Sequence, residues 1–159
     1  MSVNITLKIG KIAGESVVKN HAGEIDVLDW SWGITQKGSA HHGTGAGSGA
    51  SDVADLVIVK RIDKATPIFY QECHKGSDQK EAVLTLMKVA GESSIEYLKI
   101  TMKGPVFISS VKTGNKQPDD SFTETVSFNF AEVSIDHTGQ NKDQSKGATS
   151  TGTLNIAGR

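Results

Sequence analysis

Cys73 and His74 are the two residues whose types could supply a nucleophile and its base. Adjacent helical residues point about 100° apart, so His74 cannot take a proton from Cys73. A thiol sharing a helix face with Phe69 is expected to fill core space instead. His21, His41, His42, His74 and His137 could bind a metal, but none stands in an H-x-x-x-H or H-E-x-x-H spacing and no cysteine pair supports them. The run Gly45-Ala46-Gly47-Ser48-Gly49-Ala50 spells G-x-G-x-x-A, the letters of a phosphate cradle. It is followed by the strand-like Leu56 to Ile62 rather than by a helix, and no G-K-[ST] occurs, so a nucleotide site is not expected. A G-x-S-x-G nucleophile elbow is absent, since positions 46, 48 and 50 read Ala, Ser and Ala. Asp119-Asp120, between Pro118 and Ser121, has the composition of a turn. Asn4-Ile5-Thr6 spells a glycosylation sequon but lies inside a predicted strand. No catalytic, cofactor or metal residue is assigned, and the chain is not expected to be an enzyme.

The elements that would hold any site are mostly strands. Thirteen Val, 13 Ile and 13 Thr stand against 7 Leu, and branching at Cβ suits a pleated surface better than a helix. Val3, Ile5, Leu7 and Ile9 alternate with polar residues and predict a strand. A second is expected over Glu24 to Ile34, with Leu28, Trp30 and Trp32 on a buried face and Ile25, Val27, Asp29 and Ser31 opposite. Leu56 to Ile62 reads as a strand covered on both sides. Ala82 to Val89 and Ile95 to Met102 form a hairpin about Gly91, followed by strands at Val106 to Val111, Phe122 to Ile135 and Thr153 to Ala157. Thr66 as N-cap and Pro67 in the first turn open one helix, Pro67 to Lys75, which ends at Gly76. The expected fold is a compact β-barrel or sandwich with one short flanking helix.

At 159 residues the chain is the size of one domain. Residues 38–51, with five glycines, and the polar stretch 137–152 are expected as long loops, able to order against a neighbouring subunit. A net charge of -1 gives no footprint for nucleic acid. One cysteine excludes an internal disulfide, no apolar run approaches a membrane span, and no Sec-type signal is readable at the start. The protein is expected to be made in the cytoplasm and exported, if at all, by a machine that accepts folded domains.

Longer strings carry a more specific signal. His21-Ala22-Gly23-Glu24-Ile25-Asp26-Val27-Leu28-Asp29-Trp30-Ser31-Trp32-Gly33, with a glycine-rich loop after it, resembles the Hcp family, the hemolysin-coregulated tube proteins of bacterial type VI secretion. Ile62-Asp63-Lys64-Ala65-Thr66-Pro67 resembles that family's entry into its single helix, Ile95 to Val111 its paired strands, and Glu124 to Ala131 its last long strand. The resemblance implies a β-barrel of two sheets with one flanking helix and a homo-hexameric ring that stacks into a tube. It implies a contractile sheath, a spike protein and effector proteins as partners, with effectors held and chaperoned in the lumen and secretion from the cell. On this resemblance Ser31 and Asp29 are candidate lumen and effector-binding residues. Gly43, Thr44, Gly45, Gly47 and Gly49 are candidates for a ring-stacking loop. Two rival classes are a secreted carbohydrate-binding or adhesin-like β-sandwich, short of exposed rings at 6% aromatic residues, and a small hydrolase, which lacks an assembled triad.

Overall fold

In the computed structural model, which describes residues 2–38, 51–143 and 145–157, the alternating segments form ten strands. They are β1 (Ser2–Ile9), β2 (Ile25–Asp26), β3 (Asp29–Ser31), β4 (Ile34–Gln36), β5 (Ser51–Val53), β6 (Leu56–Arg61), β7 (Asp78–Ala90), β8 (Ser93–Lys116), β9 (Phe122–Gln140) and β10 (Lys146–Asn155). Eight make one antiparallel sheet in the order β2-β1-β7-β8-β9-β6-β3, with β10 also on β9, and β4 and β5 pair as a second small sheet. The fold class is the expected one: mostly β, with one short helix.

The sheet curls because its two ends are held by consecutive residues. Val27 N donates to Ile5 O (2.9 Å) on β1, and Leu28 N donates to Val59 O (2.7 Å) on β6. The crossing corrects the single strand expected over Glu24 to Ile34, which is three short pieces. It also shifts the alternation by one residue: Ile25 and Val27 are buried before it, and Trp30 and Trp32 pack half-buried on the core after it. Leu28, at the changeover, is 42% exposed. A bulge bends the other side, where Gly104 and Pro105 stand opposite Ala131 between the pairs Lys103↔Glu132 and Val106↔Phe130. There β9 passes from pairing with β6 to pairing with β10.

Residues 137–152 are not a loop. β9 continues to Gln140 and β10 begins at Lys146, so most of the stretch is a two-stranded ribbon, at whose end Asn141 N donates to Ser145 O (2.9 Å). Its polarity reflects that β10 meets the core only near its end, at Leu154, while ladder bonds to β9 hold the rest. The helix α1 (Thr66–Lys75) begins one residue early. Ala65 occupies the N-cap without a side-chain bond, correcting the cap assigned to Thr66. Gly76 ends the helix at φ 66°, a left-handed turn glycine adopts without strain. Phe69 is the helix's fully buried residue and stands edge-on to Phe128, ring centroids 6.2 Å apart.

Candidate assembly face and buried charge sites

β3 pairs with β6 through Asp29↔Val59 and Ser31↔Val57, and the rows continue across β9 and β8. Ser31, Val57, Ser127 and Ser110 form one row, and Asp29, Val59, Thr125 and Lys112 the next. Directly paired residues share a face, and the intervening Ile58, Val126 and Phe128 are buried in the core, so both rows lie on the outer face. Asp29 and Ser31 are exposed there, the side the alternation assigned them. Asp29 Oδ1 accepts from Trp30 N (2.9 Å). At the end of the same face Asp55 accepts from Ser109 Oγ (2.6 Å) and Asn129 Nδ2 (2.9 Å). The two rows thus present four hydroxyls, Val57 and Val59, and the charges of Asp29 and Lys112.

The tryptophans face the other way. Trp32 Nε1 donates to Ala54 O (2.8 Å) and its ring lies 6.0 Å from that of Phe130. Of the proposed ring-stacking residues, Gly43, Thr44, Gly45, Gly47 and Gly49 lie outside the described residues. Cys73 is half-buried against the core, and His74 is exposed. Asp119 makes the expected turn, accepting from Ser121 N (3.1 Å) and Oγ (2.6 Å), and these bonds hold its carboxyl below the usual range. No three His, Cys, Asp or Glu among the described residues are placed to hold a metal, and no helix is long and apolar enough to cross a membrane.

Two buried charge sites escaped the sequence reading. Lys60 is fully buried beneath α1, where its ammonium meets Glu124, Asp63 Oδ1 (2.8 Å) and Thr66 Oγ1 (3.3 Å). Glu124 also accepts from Thr66 Oγ1 (2.9 Å) and Thr113 Oγ1 (3.1 Å). The second is on the arm 10–24, which folds across the outer face of β1 and covers Thr6. His21 Nδ1 contacts Glu24 Oε1 (2.9 Å), and Nε2 contacts Glu96 Oε1 on β8 (2.7 Å). Burial lowers the imidazole pKa, but the hydrogen bonds and charges of Glu24 and Glu96 outweigh it and hold His21 above its ordinary value.

Residues 6–137 match the family described as "Type VI secretion system effector, Hcp". The chain is 47% identical over 146 residues to protein hcp1 of Pseudomonas aeruginosa, a span covering 92% of this chain and 90% of that one. The chain belongs to the Hcp family. Hcp1 of Salmonella typhimurium superposes with a TM-score of 0.79 at 30% identity, over 98% of this chain and 96% of that one. A type VI secretion effector from Yersinia pestis gives 0.76 at 27%, over 96% and 99%. Hcp proteins are secreted tube proteins of the type VI system, and both the β fold and the strings around Trp30 and Glu124 belong to this Hcp chain's matched region.

Proposed function

We propose that this chain is the repeating subunit of a type VI secretion tube, in which six copies close into a ring and rings stack head to tail. A heterologous contact that closes gives the ring, and one that stays open gives the tube. A net charge of -1 keeps repulsion between stacked copies small. The outer face of β3, β6, β9 and β8 forms the lumen wall, with Ser31 and Asp29 contacting effectors that the ring holds and chaperones. The observation that carries this assignment is the pair of rows, which present four hydroxyls, two valines and, at opposite ends of one row, Asp29 and Lys112. Such a wall lets a cargo protein bind weakly and leave. Residues 43–49 bridge successive rings, so deleting 44–49 leaves hexamers and impairs tube growth and secretion. The spike and contractile sheath meet the stacked tube rather than the isolated chain.

Ser31→Gln tests the wall, since it adds bulk to the row without charge. The hexamer is expected to persist while retention of a co-expressed effector falls in a pull-down. A broken hexamer, or undiminished retention, rules out Ser31 as a lumen residue.

A further inference from the structure

Beside the arm lies a cleft of 480 Å³, apart from the proposed lumen wall. Its floor includes the cross-strand pair Lys99↔Asp136 of β8 and β9, with Thr138 beside it, on the outer face. One wall is the arm at Lys19, Asn20 and His21; the other is β10 at Lys146 and Thr149. The carboxylates here are already engaged: Glu96 by His21 (2.7 Å) and Asp136 by Thr151 Oγ1 (2.6 Å). The ammonium groups of Lys19, Lys99 and Lys146 make no hydrogen bond or ion pair among the described residues. Three lysines without ion pairs among the described residues therefore face a concavity that holds two carboxylates, Glu96 and Asp136.

We propose that this cleft binds the carboxylate side chains of an acidic protein segment. The three ammoniums stand on three different elements, the arm, β8 and β10, so they suit several side-chain carboxylates spaced along one segment rather than a single point anion. The side-chain amide of Asn20 offers a further donor along the same surface. A pleated floor with a polar wall on each side accommodates an extended chain.

The test is the anisotropy of a labelled hexaglutamate peptide with the full-length, assembled protein at low ionic strength, beside a glycine–serine peptide. Saturable binding of hexaglutamate alone is expected. Lys99→Glu with Lys146→Glu should weaken it by about ten-fold or more, whereas Lys64→Glu, outside the cleft, should leave it unchanged. Lys99→Gln with Lys146→Gln should weaken it less, with melting unaltered. Phosphate should displace the peptide no better than chloride of equal ionic strength. The proposal is overturned if the peptides bind alike, if Lys64→Glu is as harmful, if phosphate competes specifically, or if the cleft variants lower the native mass. That last result would make the cleft a contact between copies of the chain.

Discussion

The two buried charge sites solve the same problem in different ways. Under α1 every donor of Lys60 has an acceptor, and Glu124 is satisfied by one ammonium and two hydroxyls, with the Lys60 and Glu124 side chains themselves fully buried. In the arm, His21 is held by Glu24 and by Glu96, whose side chain is 46% exposed, and its charge depends on a proton that solution pH controls. The first arrangement ties the start of the helix to β6 and β9 through fully buried groups. Protonation strengthens the second, because a neutral imidazole can donate to only one of its two carboxylates. Saturation and burial thus separate the first joint from a second that a proton strengthens.

Removing the cation from the first site should have the largest effect. Lys60→Met leaves Glu124 buried beside Asp63 without a counter-charge, and a loss of about 3–5 kcal/mol is expected from urea unfolding. Adding Glu124→Leu should recover most of it. A cost below about 1 kcal/mol for Lys60→Met would erase the distinction between the sites.

His21→Gln should cost less, about 1.5–3 kcal/mol at acidic pH, because it removes hydrogen bonds to charged partners that water can partly replace. The pH dependence has a definite sign. The folded-state pKa lies above the unfolded one, so the contribution is complete below about 6.5 and is lost as pH rises through the raised value. Unfolding midpoints measured across that window should fall with pH in the parent relative to His21→Gln. An NMR titration of His21 with a midpoint below that of a free imidazole would contradict the clasp.

Gly14→Ala acts on the same arm through its backbone. A Cβ at position 14 would stand 2.3 Å from Glu24 O and 2.7 Å from Ile25 Cα, where the backbone itself must give way. Gly14 N also donates to Gly23 O (2.8 Å). A loss of about 1–3 kcal/mol is expected, with faster proteolysis in the exposed arm at Val17 and with Lys60 and Glu124 undisturbed. Equal susceptibility of parent and variant would show that the arm is not tightly seated.

Period-two patterning exposed β1, β7, β8 and β9, since each buries alternate residues on one side. The Lys60–Glu124 pair was also legible in principle. Lys60 is in phase with Leu56 and Ile58, Glu124 with Val126 and Phe128, and β6 and β9 place them opposite each other. What the sequence lacks is the register joining positions 64 residues apart. His21 and Glu96 are separated by 75 residues in the same way. The break in Glu24 to Ile34 was hidden because alternation continues in the letters while the chain changes edges at Val27 and Leu28. Residues 137–152 looked like a loop because pairing alone, with no buried face, makes β10 a strand.

Native mass spectrometry of the purified, full-length protein tests tube building most directly. A particle of six chain masses is expected, unchanged by Lys60→Met with Glu124→Leu and by His21→Gln at acidic pH, because both sites lie within one subunit. A protein that remains a monomer at micromolar concentration would contradict the account.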